Sequence, residues 1–376
     1  MLVAPIIILA RGLYRVLPSI TLSKQNKSFD QQLFSNKING GYYAGSYQKK
    51  IITRENFYTF LGLKNSGEIV SVEYVELLAN HMSASNQIPA YFTETIWGDK
   101  IPHYKENGYE IVDSNAIFLI LLAWLSESSN QTAKKYFIKA QRAMLYLEQF
   151  IIDDVFFEPE FGSWENTRKP TERSGLTTSV LVCHAIRSIE LLAMRTGNKS
   201  IMLKCVQQHT RFKKKLCVKL YQTQETLPRM LSVYFNMMPS DFWRSFDQEI
   251  ELDIITLITP GPIQYESTWN SWVYGVDDQH NTLLYPWITY FWIIILGKKG
   301  KLKMAKEYFD ELTSIHSEST LYSTYEPETL RPVSRAFLKA DPSHSVTLCM
   351  FLAARDIFGP CPSNQMEETM SIDLPV

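Results

Sequence analysis

Apolar residues recur at helical spacing along most of this chain, and few stretches alternate as half-buried strands do. Gly and Pro punctuate the segments, as in "RTGN" at 195–198 and "GKKG" at 297–300. Consecutive segments form pairs of helices joined by a turn, with longer aromatic loops between the pairs. The predicted helices cover 55–64, 68–83, 111–127, 131–152, 176–196, 200–220, 241–257, 281–297, 301–317 and 343–357. Such a chain folds as an open solenoid of helical hairpins or as a closed toroid.

The long aromatic loops favour the closed toroid, because a toroid can gather them around one cleft. No low-complexity linker divides the chain. We therefore predict one all-α toroidal domain over residues 35–362. An N-terminal helical extension (1–34) precedes it and a C-terminal tail (363–376) follows it.

Charge and cysteine usage exclude several classes of protein. The formal net charge is -1, so no basic field attracts nucleic acid. The His residues show no zinc-ligand spacing, so we expect no metal. The cysteines include no C-x-x-C pair, which indicates reduced thiols and a cytosolic type of compartment. They are Cys183, Cys205, Cys217, Cys349 and Cys361.

The first residues, "MLVAPIIILARGLYRVLPSITL", contain an apolar run of roughly ten residues, whereas a bilayer span needs about twenty. They lack a basic start and an A-x-A-like cleavage site, which argues against a signal peptide. Arg11 and Arg15 fit a helix lying on a membrane surface, and equally a helix that covers one edge of the domain. We expect a cytoplasmic protein, with membrane association of this segment or export of the protein as the alternatives.

The stretch "NGGYYAGSYQKKIITRENFYTFLGLKNSGE" (39–68) runs from a Tyr- and Gly-rich loop into Arg54 and Glu55. In the simpler interpretation Thr53 caps the following helix and Glu55 complements its dipole. In the functional one Arg54 and Glu55 form charge-assisted hydrogen bonds to the hydroxyls of a sugar. Tyr43 of the loop is a further candidate for substrate binding.

Two further carboxylates precede apolar helices. Asp113 precedes one in "GYEIVDSNAIFLILLAWL" (108–125), where it is either an N-cap or a group pointing into a cleft. Glu165 lies beside Trp164 in "FGSWENT" (161–167). Cleavage of a glycosidic bond needs an acid that stays protonated near neutral pH, and an apolar neighbour raises the pKa of a carboxyl group by desolvation. Glu165 is therefore a candidate general acid.

Two more carboxylates, Glu326 and Glu328, lie in the Pro-punctuated loop "LYSTYEPETLRPV" (321–333). An inverting glycosidase needs a second carboxylate that activates water about 6.5–9.5 Å from the acid. Solvated loop glutamates are far commoner than catalytic ones, so this loop indicates a catalytic base only together with the other stretches.

In this order the stretches resemble the glucoamylase family and its relatives among the six-hairpin (α/α)6 glycosidases. The similarity covers roughly residues 39 to 358. It rests on "YYAGSYQKKIITREN", "NQIPAYFTETIWGDKIPHYKENGYEIVDSNAIFLILLAWL", "SWENTRKPTERSGLTTSVLVCHAI", "ELDIITLITPGPI" and "YEPETLRPVSRAFLKADPSHSVTLCMFLAA". The stretch "QHNTLLYPWITYFWIIILGKKGKLKMA" is similar to a helix of debranching and invertase-like members. The resemblance implies an (α/α)6 toroid.

The resemblance also implies roles for single residues. Glu165 takes the position of the general acid, and Arg54 takes a position that grips the substrate. Asp113 is similar to a cleft aspartate that invertase-like relatives use in catalysis.

The sequence departs from the family at several positions. Glu55 stands where the family has Asp. The position of the general base falls on Ser323 or Thr324 when the loop is aligned without gaps, and Glu326 then matches a loop aspartate. Leu330 replaces the loop glycine. A gap of two or three residues would let Glu326 serve as the base.

The first functional hypothesis is an inverting, exo-acting α-glucosidase of α-glucans or α-glucosyl disaccharides. Glu165 is its acid, Glu326 activates water, and no cofactor is needed. Candidate stacking platforms for sugar rings are Trp97, Trp164, Trp269 and Trp272.

The second hypothesis is a catalytically weakened member of the family that binds carbohydrate or serves as an interaction scaffold. The third is another (α/α)6 sugar enzyme: an epimerase, an unsaturated-uronide hydrolase or a lyase. An epimerase or lyase needs His or Tyr bases, and His103, His184 and His280 are available, although His184 fits a packing role better.

Overall fold

A computed structural model of the chain describes residues 29–38, 40–45, 49–106, 109–159, 175–223, 225–239, 242, 283–315, 320–326, 329–335 and 338–358. The helices of these ranges are α1 (Phe29–Asn36), α2 (Thr53–Asn65), α3 (Val72–Asn80), α4 (Asp113–Leu125), α5 (Asn130–Glu148), α6 (Leu176–Thr196), α7 (Lys199–Gln222), α8 (Thr226–Tyr234), α9 (Pro286–Lys298), α10 (Leu302–Ile315) and α11 (Ser345–Asp356).

Within the described ranges, six helices form a closed inner ring. Each contacts the next in chain order, from α2 through α4, α6, α8 and α9 to α11, and α11 returns to contact α2. The remaining helices form an outer layer. There α1 packs on α11, α3 on α4, α5 on α4 and α6, α7 on α6, and α10 on α9. The predicted all-α toroid of (α/α)6 type is confirmed.

The composition of each helix matches its layer. All residues of α4 are buried, and so are residues 286–296 of α9, because both helices are apolar on every side. The outer helices α5 and α10 carry apolar residues on one face and charged residues on the other. Among the helices that the structure describes, α6 is long and apolar enough to cross a membrane by length and composition, but most of it is buried inside the protein.

The ring closes where α2 and α11 approach closely. Gly62 of α2 lies against Cys349 of α11, and a Cβ at Gly62 would be 2.9 Å from the Cys349 carbonyl carbon. Glycine is therefore required by space at this crossing, and not by its backbone angles.

The short strands of the described ranges lie in the loops and pair antiparallel. One three-stranded sheet joins β3 (Ile51–Ile52), β4 (Tyr91–Glu94) and β5 (Lys100–His103). The others are hairpins: β1 (Lys37–Ile38) with β2 (Gly41–Tyr42), β6 (Lys105–Glu106) with β7 (Tyr109–Glu110), β8 (Ile151–Ile152) with β9 (Val155–Phe156), and β10 (Ser334–Arg335) with β11 (Leu338–Lys339). Because β3 leads directly into α2, the three-stranded sheet lies at the end of the ring where α2 begins.

Several helix boundaries differ from those predicted. Helix α3 begins at Val72 and not at 68, because the Ser71 side chain accepts from the Tyr74 N–H as an N-cap. Helix α8 was not predicted. The predicted helix over 241–257 lies outside the described residues, apart from Phe242. The predicted domain limits stay predictions, and α1 crosses the limit at residue 35.

Candidate functional site

The first turns of several inner helices meet at one end of the ring. Arg54, the second residue of α2, donates from Nε to Oδ2 of Asp113, the first residue of α4. Glu55 faces His344, the N-cap of α11. Tyr58 of α2 packs on Trp287 near the start of α9, with ring centroids 4.8 Å apart. These contacts place the N-terminal ends of α2, α4, α9 and α11 together.

The Arg54–Asp113 ion pair is almost fully buried, with Asp113 only 2% exposed. Burial disfavours the charged guanidinium, but the Asp113 carboxylate and its hydrogen bond outweigh that effect and raise the pKa of Arg54. The second carboxylate oxygen, Oδ1, is buried and has no hydrogen-bond partner within the described part of the chain. A buried acceptor of this kind is suited to accept from a ligand.

Neither helix start is capped as the simpler interpretation predicted. Asp113 is not an N-cap, because Val112 occupies that position and the Asp113 side chain is bound to Arg54. Thr53 is not an N-cap either. Its hydroxyl donates to the Pro89 carbonyl, 2.7 Å away, and Ile52 holds the cap position. Glu55 does lie in the first turn of α2, as predicted.

Tyr58 and Trp287 extend the polar cluster with aromatic surface. The Tyr58 hydroxyl is buried, and burial raises its pKa well above the ordinary value, with the nearby Asp113 carboxylate adding to the effect. The sequence analysis did not select either residue. Tyr58 could have been found, since it lies four residues after Arg54 and so on the same face of α2.

The Tyr- and Gly-rich loop is bound to the start of α11. Ser345 donates from Oγ to the Tyr43 carbonyl at 2.6 Å and from its N–H to the Ala44 carbonyl at 3.0 Å. The Asp341 carboxylate lies against Gly45, where a Cβ would be 2.5 Å from its carboxyl carbon. The Tyr43 hydroxyl donates to Glu94 of β4, and burial together with this bond raises the pKa of Tyr43 to about 12.

Glu158 is a buried carboxylate at the start of α6 that sequence reasoning missed. It accepts from the Thr178 hydroxyl at 2.7 Å and lies against the N-cap Gly175, where a Cβ would be 1.6 Å from its Oε2. The residues on either side of 160–174 therefore meet at the beginning of α6. Glu165 and Trp164, within that segment, lie outside the described residues, as do Trp269 and Trp272.

Glu326 begins a tight turn: its N–H donates to the Arg331 carbonyl at 2.8 Å, and its carbonyl accepts from the Leu330 N–H at 2.8 Å. Leu330 has φ 53°, in the left-handed region that favours glycine. Ser323 pairs with Asp341: its N–H donates to the Asp341 carbonyl and its hydroxyl accepts from the Asp341 N–H. Leu330 thus adopts a backbone conformation usual for glycine, at the position where the family resemblance expects glycine.

The predicted aromatic platform Trp97 lies at the turn between β4 and β5 and is 84% exposed, next to Ile96 at 92%. Its indole contributes little to the core. No contact in the described structure joins it to the Arg54–Asp113 pair. Among the described residues, no group of His, Cys, Asp and Glu side chains could hold a metal ion.

Comparison with known proteins identifies the fold. No protein-family model matches the chain, and no curated protein matches it by sequence. A rhamnosidase from Klebsiella oxytoca with rhamnose bound aligns at TM-score 0.61 and 11% identity over 89% of this chain and 64% of its own length. A solved glycosidase aligns at TM-score 0.63 and 11% identity, covering 88% of this chain and 96% of its own length.

A third structure, the GH63 mannosylglycerate hydrolase from Thermus thermophilus in complex with glucose, aligns at TM-score 0.59 and 10% identity. The alignment covers 86% of this chain and 98% of that one. This chain therefore spans 64% of the Klebsiella rhamnosidase but nearly the full length of the two smaller proteins. At these identities the likeness shows that the toroid is of the type found in glycosidases.

Proposed function

We propose that the protein is an inverting, exo-acting glycoside hydrolase. The observation that carries the proposal is the buried Arg54–Asp113 pair, with the Asp113 Oδ1 acceptor and the Tyr58 hydroxyl beside it, where the inner helices begin. Hydrogen-bond donors and acceptors in a largely apolar environment suit a sugar ring, because the ring presents hydroxyls at its edge and C–H groups on its faces. The fold shared with solved glycosidases supports the same interpretation.

In this proposal Glu165 protonates the leaving oxygen. The contact between Glu158 and Gly175 supports this role, because it holds both ends of the segment 160–174, which contains Glu165, at the start of α6. Glu326 activates water on the opposite face of the sugar, as an inverting mechanism requires. Protonation and stabilisation of an oxocarbenium-like transition state need no cofactor.

The proposed substrates are α-glucans and α-glucosyl disaccharides. Arg54 and Glu55 bind the terminal sugar by charge-assisted hydrogen bonds, and Trp97 offers a platform for further units of a chain. Because the similar structures include rhamnosidases and a mannosylglycerate hydrolase, rhamnosides and mannosylglycerate belong in any substrate panel.

A second candidate function is carbohydrate binding without turnover. The observation that favours it is Ser323, which stands where the resemblance puts the general base and is hydrogen-bonded to Asp341. The third hypothesis, an epimerase, unsaturated-uronide hydrolase or lyase, receives less support, because the candidate histidine bases are engaged in packing or lie outside the described residues. His184 stacks on Phe235 at 3.8 Å, His103 stacks on Tyr91 at 4.5 Å, and His280 lies outside the described residues.

The test measures sugar release by the wild type and by Glu165→Gln on maltose, maltotriose, trehalose, sucrose, glycogen, p-nitrophenyl α-L-rhamnoside and mannosylglycerate. A rate of sugar release from the non-aryl substrates that is at least about a hundredfold lower in the Gln variant supports the hydrolase with Glu165 as its acid. Activated aryl glycosides should restore part of the rate in this variant, because a good leaving group needs less protonation. Binding of maltotriose without any release supports the second candidate.

A further inference from the structure

Two helices of the outer layer, α5 and α7, are strongly basic. Together they carry eleven Lys or Arg residues and one acidic residue, Glu148. The whole chain has a formal net charge of -1, so the remainder of the chain is net negative. Positive charge gathered on one side of a protein attracts a partner of the opposite sign.

The two helices belong to one continuous surface. Both pack on α6, and Lys204 of α7 donates to Glu148 at the end of α5, 2.9 Å away. The β8–β9 hairpin follows α5 in the chain and is bound to α7 by the ion pair of Asp154 with Arg211, at 3.0 Å. We call the outward side of α5, the β8–β9 hairpin and α7 the basic face.

Many cations of the basic face are not neutralised by the protein itself. Six of the eleven bond to neighbouring groups of the fold. The other five make no hydrogen bond or ion pair with any residue that the structure describes. These five are Lys134 of α5 and Lys199, Lys213, Lys214 and Lys219 of α7. Like charges on one helix repel one another, and an anionic partner relieves that repulsion.

Apolar residues lie among these cations, and several of them are more than half exposed. They are Ile138 and Leu145 of α5, Ile152 of β8, and Leu203 and Val218 of α7. A single exposed apolar residue is ordinary, but several on one side of a molecule indicate a contact surface. The phosphates of a nucleic acid would pair with the cations and leave these apolar groups in water. A bilayer interface accepts both, because headgroups bind the cations and the acyl boundary takes the apolar groups.

We propose that the basic face docks on an anionic lipid surface. The Lys side chains extend to the headgroups, and Leu203 and Val218 enter the boundary with the acyl chains. Each cation near an anionic bilayer strengthens binding about fivefold, so five unpaired cations together contribute on the order of a thousandfold. This association does not depend on the proposed function, because the basic face lies on the outer layer and the Arg54–Asp113 pair lies at one end of the inner ring.

The first test removes charge and measures co-sedimentation of the full chain with lipid vesicles. The vesicles contain phosphatidylcholine alone or with about 30% phosphatidylserine, in about 0.15 M NaCl. The charge variant, which loses three exposed cations of the basic face, is Lys134→Gln/Lys199→Gln/Lys214→Gln. Its control, which loses three exposed cations elsewhere, is Lys105→Gln/Lys303→Gln/Lys306→Gln.

We expect the wild type to bind the vesicles with phosphatidylserine and not those without it. The charge variant should bind about 100-fold more weakly and its control within about threefold of the wild type. No binding of the wild type to the anionic vesicles, or equal losses in the charge variant and its control, overturns the proposal. Circular dichroism checks that each variant is folded, as substitutions at exposed positions should be.

The second test removes apolar surface and separates a lipid partner from a nucleic acid. Leu203→Ser/Val218→Ser should weaken vesicle binding about tenfold, because it removes the groups that enter the bilayer. The control Ile69→Ser/Leu302→Ser, at similarly exposed positions, should stay within about twofold. Equal vesicle binding by the apolar variant and the wild type overturns the proposal, and displacement of both by a DNA duplex then identifies a nucleic acid as the partner.

Discussion

Replacing Arg54 by Met removes the cation from a carboxylate that is only 2% exposed. Breaking a buried ion pair from one side costs about 3–5 kcal/mol, because the remaining charge stays buried without compensation. This cost is a large part of the free energy of unfolding of a typical protein, which is about 5–15 kcal/mol.

Urea unfolding at pH 7 measures this cost, and the variants Asp113→Leu and Arg54→Met/Asp113→Leu complete a double-mutant cycle. We expect the double variant to be more stable than Arg54→Met alone, because it buries no unpaired charge. The reasoning is refuted if Arg54→Met costs less than about 1 kcal/mol or if the two single effects simply add.

Four further variants test other features. Gly62→Ala should lower the thermal midpoint by the equivalent of about 1–3 kcal/mol, because its Cβ would be 2.9 Å from the Cys349 carbonyl carbon, and an unchanged midpoint contradicts the close crossing. Leu330→Gly should raise the free energy of unfolding in urea by about 1 kcal/mol, because φ 53° disfavours any residue with a Cβ. Burial, with lesser effects of His209 and Arg187, lowers the pKa of His184 to about 3, below its value of 6.5 in the unfolded chain. Stability is therefore full above pH 6.5 and falls by at most about 1.4 kcal/mol per pH unit towards pH 3, and His184→Phe should flatten this decline in a pH series of unfolding curves. Trp97→Ala should leave stability within about 0.5 kcal/mol but weaken maltohexaose binding about tenfold by calorimetry, and equal affinity would exclude a stacking role.

The spacing of apolar residues predicts most helices of the ring. The two most apolar, α4 and α9, are apolar on every side, as their buried positions require. The spacing does not by itself predict the contact of α2 with α11, since that contact depends on packing at Gly62 and Cys349 and on no local signal. Helix α8 was missed because it has nine residues and contains Pro228. Proline ends most helices but is tolerated in the first turn, where its missing N–H would be unpaired in any case.

Part of the candidate site could be predicted from the sequence. Arg54, Glu55 and Asp113 were selected because their stretches resemble the glucoamylase family, in which Arg54 takes a substrate-binding position and Asp113 that of a cleft aspartate. Their pairing was not predicted, because Arg54 and Asp113 are 59 residues apart and only the ring brings them together. Glu158 and His344 were missed for the same reason, since each acquires its partner from another element of the fold.

The closure of the ring also sets the order in which the chain can finish folding during synthesis. The face of α2 around Gly62 lacks its packing partner until the residues of α11, from Ser345 onward, leave the ribosome. At about 5–20 residues per second, the roughly 280 intervening residues take on the order of 15–55 s. During that interval the apolar side of α2 is available to chaperones, and a ribosome that stalls before residue 345 leaves an incomplete ring with an exposed apolar edge.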